Sequence, residues 1–521
     1  MTRKKASASS SRMIEAPNSG DLGQPSQTRS MIGRHKGRRA IQTLGGTCVS
    51  RLVIVSNRVV DLDNQLQSGA LAVALGDALR SIGGIWFGWD GNILEQGTPI
   101  EVSRTVQNNV TIATIPMTER DYEEYYLGFA NKVLWPACHY RLDLVQFEPA
   151  YFEGYRRVNK GFAVALAPLL RADDIVWAHD YHLISFGSEL RALGARQRLG
   201  FFLHIPFPPP ELLQAIPAHN WLIEALFQFD VIGFQTSNDV GNFRRFVAEH
   251  VGGEVFDDER IEAFGRTVIA RAFPIGIDVD DFIAAAQTPE AASQIARLNR
   301  RTVVRSHIIG VDRLDYTKGL PERFKAFRKL LELQPEHRKT VTLMQIAQPT
   351  RIEVEAFVNI RTELEGLSGA INGEFGDFDW TPLRYIHRAM PRETLAALYR
   401  GSEVGLVTPF RDGMNLVAKE YVAAQNEEDP GVLILSKFAG AAEELEEALI
   451  VNPYNIDDMA KAMQTALRMP LEERKERHAA LLARIETHDV RFWRTSFLDV
   501  LSSQPPWPGA AFPRCASIPT A

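Results

Sequence analysis

Short apolar runs alternate with helix-spaced apolar patterns along most of this 521-residue chain, and that alternation restricts its fold more than any other feature. Parallel strands buried on both faces read as unbroken apolar runs, and each needs a crossover, usually a helix, before the next. Leu52 to Val55, Ile175 to Ala178, Gly200 to Leu203 and Val231 to Phe234 read as such strands in the first half. Ile308 to Val311, Val341 to Gln345, Val404 to Val407 and Val432 to Leu435 read as those of the second. The fold class is therefore α/β, with parallel sheets carrying helices on both faces. A chain of this length exceeds one hydrophobic core, and 45% hydrophobic against 23% charged residues can fill two. The join falls around Ala286 to Arg300. The expected organisation is a disordered basic tail over residues 1–50, a first domain over 51–285, a second over 286–489, a C-terminal helix over 490–502 and a flexible tail over 503–521. That last tail contains Gln504-Pro505-Pro506-Trp507-Pro508-Gly509, which is poor helix material.

Charge is unevenly spread. Residues 1–50 hold nine Lys and Arg against Glu15 and Asp21, so the formal −6 of the whole chain becomes −13 over residues 51–521. An acidic body argues against broad nucleic-acid binding, and anionic ligands must be met by local clusters of Arg and Lys. The tail is Ser-rich and aperiodic, has no apolar signal core, and reads as a dispensable extension or an upstream start rather than a transit peptide. No apolar run reaches the ~18 residues of a membrane span. Cys48, Cys138 and Cys515 are too few and too scattered for a disulfide framework or a zinc site, which fits a reducing, cytoplasmic setting.

Two segments carry chemistry. In Val311-Asp312-Arg313-Leu314-Asp315-Tyr316-Thr317-Lys318-Gly319 a strand hands over to a helix, and Arg313 and Lys318 place two cations where α/β folds hold a diphosphate. The bland alternative pairs those cations with Asp312 and Asp315 on a solvated loop. In the second, Arg411-Asp412-Gly413-Met414-Asn415-Leu416-Val417-Ala418-Lys419-Glu420, a helix opens after the strand Val404 to Val407. Gly413 and Asn415 permit close backbone approach, N–H groups from Met414 to Val417 suit a phosphate, and Asp412 and Glu420 offer carboxylates to sugar hydroxyls. Here the bland alternative makes Asp412 an N-cap and Glu420 an ordinary helix charge. Together the two segments describe a nucleotide-sugar site.

With Val55-Ser56-Asn57-Arg58, Trp86-Phe87-Gly88-Trp89, Leu134-Trp135-Pro136-Ala137, His179-Asp180-Tyr181-His182 and His204-Ile205-Pro206-Phe207-Pro208 in the same order, the chain from Arg51 to about Leu501 resembles the trehalose-6-phosphate synthases of glycosyltransferase family 20. The resemblance implies a GT-B architecture, two Rossmann-like domains facing a central cleft, with the C-terminal helix crossing back onto the first. It implies retaining transfer of glucose from UDP-glucose to glucose 6-phosphate without a cofactor. Arg58 and Arg351 would grip the acceptor phosphate from opposite domains, Tyr126, Trp135 and Trp89 would wall the sugar, and Asp180 would contact its hydroxyls. Gly69, Ala70, Met390 and the run Asp412, Gly413, Met414, Asn415, Leu416, Val417, Ala418, Lys419 and Glu420 would line the donor. Arg313, Lys318, Asp412 and His204 would surround the reacting atoms, His204 by its side chain or by neighbouring backbone.

No Asp-x-Asp pair stands in the donor loop, since Asp61-x-Asp63 follows the first strand, so charge on the leaving group is expected to be met by Arg313 and Lys318 rather than by a metal. The His179 and His182 spacing reads as a hydrogen-bond network rather than a metal site. Two positions depart from the family pattern. Ser68-Gly69-Ala70-Leu71 has alanine where a second glycine is common, and Met390 stands where an aromatic is frequent. These departures keep two alternatives open, a relative with another sugar-phosphate or cyclitol-phosphate acceptor or another nucleotide donor, and a silent sugar-phosphate sensor. A homo-oligomer is compatible with all three.

Overall fold

The computed structural model describes residues 50–59, 70–95, 97–300, 306–350, 355–505 and 507. The basic tail up to residue 49, Gly69 and Arg351 lie outside the described residues, as do 508–521.

Ten strands form the first sheet: β1 (Leu52–Arg58), β2 (Gly84–Leu94), β3 (Ser103–Gln107), β4 (Val110–Thr118), β5 (Ile175–His179), β6 (Arg198–Phe202), β7 (Val231–Phe234), β8 (Glu254–Val255), β9 (Arg260–Ala263) and β10 (Arg266–Ala272). Six form the second: β11 (Ser306–Arg313), β12 (Val341–Gln348), β13 (Leu383–Ile386), β14 (Val404–Val407), β15 (Val432–Ser436) and β16 (Leu449–Val451). All eight runs read as strands fall on strands, with Leu203 alone lying just past the end of β6.

The order of the second sheet is β13-β12-β11-β14-β15-β16, parallel throughout. It runs outward from β11 to one edge, returns, and continues from β14 to the other. The first sheet repeats the scheme in its parallel core, β4-β2-β1-β5-β6-β7-β10, with β3 and the β9 and β8 pair added antiparallel at the edges. In each sheet the order therefore reverses beside its first strand, between β1 and β5 and between β11 and β14. Neighbouring loops diverge at such a reversal and leave a crevice at the carboxyl ends of the strands. Arg58 ends β1, Asp180 follows β5, Arg313 ends β11 and Asp412 follows β14.

The chain leaves the first lobe after β10 and returns through the helix Val490–Ser503, whose first N–H donates to the Ile277 carbonyl at 3.1 Å. Trp493 and Phe497 of that helix lie on Trp177 of β5, with ring centroids 4.9 and 4.6 Å away. Phe497 also fills the space that side chains would need at Gly200 and Gly233. The helix stops at Ser503, yet the segment expected to be flexible is held at one point: Trp507 lies between the Arg191 and Arg266 guanidiniums, each 3.6 Å from its ring centroid. Among the described residues no helix is long and apolar enough to cross a membrane.

Candidate active site

On the first lobe, β1 delivers Arg58 to the carboxyl end of the strands with its side chain exposed. Its guanidinium stands 5.6 Å from the Trp89 ring, above Gly91, where a β-carbon would come within 2.7 Å of the arginine. Trp89 is anchored by its Nε1–H to the Asn92 carbonyl (2.8 Å) and meets Tyr126 at 5.9 Å. Tyr126 belongs to the π-helical stretch Tyr122–Leu134, a wide helical form that recurs at functional sites. Its ring stacks on Tyr122 at 5.4 Å and on His182 at 5.9 Å. Arg58, Trp89 and Tyr126 thus meet as one wall, a fixed cation beside aromatic faces, which suits a phosphorylated sugar.

Asp180 adopts φ 78° and ψ 166°, a backbone region nearly reserved for glycine. Two bonds impose it: the Asp180 N–H donates to the Phe202 carbonyl (2.7 Å), and its Oδ1 accepts the His204 N–H (3.2 Å). Such strain costs roughly 1–3 kcal/mol and clusters at working sites.

The His204 side chain is fixed by a chain of bonds that also sets its tautomer. The Ile275 N–H donates to Gln235 Oε1 (3.1 Å), so the Gln235 amide nitrogen faces His204 Nδ1 (3.3 Å), which must accept. His204 Nε2 then carries the proton and donates to His179 Nδ1 (3.0 Å). Burial pulls the His204 pKa down to about 3 and that of His179 well below its usual value, with His204 adding to the latter. Both rings are neutral, and both nitrogens of His204 are engaged. What His204 presents to the second lobe is its carbonyl, which packs so closely on Gly413 that a β-carbon there would stand 1.9 Å from the oxygen.

On the second lobe, Arg313 and Lys318 pair with neither Asp312 nor Asp315. Asp312 binds the fully buried Arg323 at 2.6 Å, and Asp315 Oδ1 closes its own turn by accepting Thr317 N–H and Oγ1–H, both at 3.0 Å. Arg313 is exposed and lies over the Trp135 ring of the other lobe at 5.2 Å. Lys318, only 6% exposed, donates to Asp412 Oδ2 at 2.5 Å.

Asp412 is not an N-cap. It also accepts Asn415 Nδ2 (3.0 Å) and its neighbour's Gly413 N–H (3.1 Å), shaping the turn before the helix Leu416–Ala424. Burial pushes its carboxyl up, but Lys318 by charge and hydrogen bond, then Arg313, bring it below the ordinary value. Asn415 takes the left-handed conformation (φ 69°, ψ 84°) where the helix Leu416–Ala424 begins, and the N–H groups of a helix's first turn have no partner within the helix. Met414 and Ala418 are buried. Lys419 departs from its expected place at the donor, because its ammonium is inside, bound to the Ile275 carbonyl (2.9 Å) and Glu444 (2.6 Å). Glu420 accepts from the Tyr399 hydroxyl at 3.3 Å, and burial, opposed by Arg392, raises its pKa to about 7. Met390 lines a cleft of about 580 Å³ with Arg297, Met344, Ile386, Arg388 and Leu398.

Tyr122, Gln235, His139 and Arg411 also stand at the site, although nothing in the sequence assigned them a part. Arg411 reaches across to Tyr140 at 4.0 Å while touching Phe438 of its own lobe at 5.6 Å. His139 stands two residues past the Leu134 to Ala137 motif, which is the only signal it left. Among the described residues no group of three or more His, Cys, Asp or Glu is placed to hold a metal ion.

The profile of glycosyltransferase family 20 matches residues 50–503. A trehalose-6-phosphate synthase of Enterobacter sp. (strain 638) is 48% identical over 459 residues, 88% of this chain and 96% of that protein. An alpha,alpha-trehalose-phosphate synthase (UDP-forming) from Burkholderia xenovorans, solved in complex with glucose-6-phosphate, superposes with a TM-score of 0.85 at 49% identity, covering 87% of this chain and all of the other. A structure from E. coli bound with UDP-2-fluoro glucose superposes with a TM-score of 0.83 at 45% identity, covering 88% and 100%.

Proposed function

The chain belongs to glycosyltransferase family 20, and on that premise we propose that it transfers glucose from UDP-glucose to glucose 6-phosphate, giving α,α-trehalose 6-phosphate and UDP with retention. The observation that carries this reading is the meeting of two crevices. Arg58, Trp89, Tyr126 and Asp180 stand at the reversal of one sheet, and Arg313, Lys318 and Asp412 at the reversal of the other. Residues 51–285 hold the acceptor and 286–489 the donor.

A nucleoside diphosphate leaving group gathers negative charge as the glycosidic bond breaks. Arg313, already desolvated on one face by Trp135, and Lys318 supply two preorganised cations for it, and no metal or other cofactor is required. To reach the phosphate, the Lys318 ammonium leaves Asp412, whose carboxylate then becomes an acceptor for sugar hydroxyls. Arg58, joined by Arg351, holds the acceptor phosphate and orients its sugar against the donor. With the His204 imidazole engaged on its own lobe, the proton of the attacking hydroxyl passes to the departing phosphate oxygen on the same face. The reaction takes place in the cytoplasm.

Nucleotide release with glucose 6-phosphate is the test, run across UDP-, GDP- and ADP-glucose with identification of the disaccharide phosphate. UDP and trehalose 6-phosphate in equal amounts are expected. Release that needs no glucose 6-phosphate, or a different disaccharide, overturns the assignment.

A further inference from the structure

Trp135 and His139 bracket the single helical turn Trp135–Cys138, and each is 3% exposed. His139 Nδ1 lies 2.7 Å from the Trp135 carbonyl, which can only accept, so Nδ1 holds the proton and Nε2 is a bare acceptor. That Nε2 is sealed from solvent and has no hydrogen-bond partner among the described residues. Leaving such an atom unpaired costs about 1–3 kcal/mol, a cost that a phenyl ring in the same space would avoid. The imidazole packs 4.1 Å from the Trp135 indole, the indole carries the Arg313 guanidinium at 5.2 Å, and the charges acting on the imidazole are those of Asp315, Asp412 and Lys318 on the opposite lobe.

We propose that His139 is a positioning residue for glucosyl transfer: through its Nδ1–H it locks Trp135 as the plate that aligns Arg313 with the leaving diphosphate across the cleft. The inference rests on the donor-side reading of Arg313. It assigns the aromatic wall a second duty, since the residue expected to face the acceptor sugar also seats a donor-side cation. Burial lowers the His139 pKa to about 4, against the opposing pull of Asp315, so the ring stays neutral in the tautomer this contact needs.

The test separates the nitrogen from the ring. His139→Phe keeps the aromatic packing and loses Nδ1. His139→Asn keeps a donor at the same reach, as Asn159 shows by donating to the Tyr155 carbonyl four residues back at 3.0 Å. UDP affinity measured by calorimetry without acceptor, together with kcat, is expected to fall about tenfold or more in His139→Phe, the scale of a misplaced binding group, and to stay within about threefold in His139→Asn. In an Arg313→Ala background the Phe substitution is expected to add less than about threefold, because its effect runs through that arginine. If His139→Phe does not fold, His139→Gln, whose longer side chain sets its amide away from the Nδ1 position, takes its place. Wild-type UDP affinity in the Phe or Gln variant, or an undiminished loss in the Arg313→Ala background, overturns the positioning role alone. Failure of the unmodified chain to bind UDP overturns the donor reading and this inference with it.

Discussion

Asp412 gathers Lys318, Asn415 and the Gly413 amide on one carboxylate, and that crowding separates two substitutions that look equivalent in the sequence. Arg313→Ala removes an exposed charge and leaves nothing unpaired, so turnover should fall at least ~10²-fold with an unchanged Tm. Lys318→Ala should lose as much activity and also destabilise the fold by on the order of 1–3 kcal/mol, because it strands a buried carboxylate. The Asp412 pKa is depressed in the folded chain, so the pair's contribution is full above the ordinary aspartate value and disappears as pH falls through the folded pKa. The Tm gap between the chain and Lys318→Ala should therefore close on acidification, and thermal melts at several pH values check it. Glu420 behaves oppositely. With its pKa raised to about 7, it loses charge as pH falls through neutrality. If it accepts ribose hydroxyls as an anion, the KM for UDP-glucose should rise below about pH 7 in the native chain and stay flat in Glu420→Gln. A pH-independent donor KM in the native chain would count against that contact.

At the scale of elements, Gly413 sets how closely the donor loop can approach the loop after β6. Its missing side chain admits the His204 carbonyl, and backbone stands on both sides of the gap, so neither can yield as a flexible side chain would. Gly413→Ala should hold the loops apart and cut kcat by ~10²-fold or more, with a lowered Tm as second readout. Near-native kinetics would show that the contact opens during turnover. Elements buried on both faces were legible: β5, β7, β14 and β15 are buried at every residue and read as unbroken apolar runs. The rim was not, because β3 is almost wholly exposed and β4 alternates buried and half-buried residues, which leaves weak patterns. Arg313 and Asp412 drew attention because each stands at or after a readable strand, whereas Arg58 and Asp180 were singled out by the family resemblance. Residues acting through contacts distant in sequence escaped notice: Gln235 bonds His204 over 31 positions, and Lys419, placed on the donor by its motif, is buried against Glu444, 25 positions on. Spacing along a chain carries no record of such meetings.

At the scale of the whole molecule, the lobes are tied at several separate places, by Arg313 on Trp135, Arg411 on Tyr140, Lys419 on the Ile275 carbonyl and Glu443 on the Ser237 N–H. The C-terminal helix belongs to the first lobe in packing, and its far end is secured well past its last turn. Trp507 lies between Arg191 and Arg266, whose charges converge on Asp230 at 3.0 and 3.7 Å, while Arg198 holds the Gln504 carbonyl at 2.8 Å. Burial lowers the Arg191 pKa to about 10, against the pull of Asp230, so the guanidinium remains charged at neutral pH and keeps its attraction for the indole face. Each cation–π contact contributes about 0.5–2 kcal/mol, and deleting the ring also leaves two cations facing one carboxylate. Trp507→Ala should thus cost about 1–4 kcal/mol of stability in denaturant unfolding. Its effect on catalysis should be slight, because the clamp secures a helix already packed on β5 and β6 and touches no residue of the cleft. The expected result is a lower unfolding midpoint with kcat and both KM values within about twofold, the insensitivity expected of independent, distant sites. A variant with a native midpoint would show that the ring contributes nothing beyond its position, whereas altered kinetics at native stability would tie the C-terminal anchor to turnover.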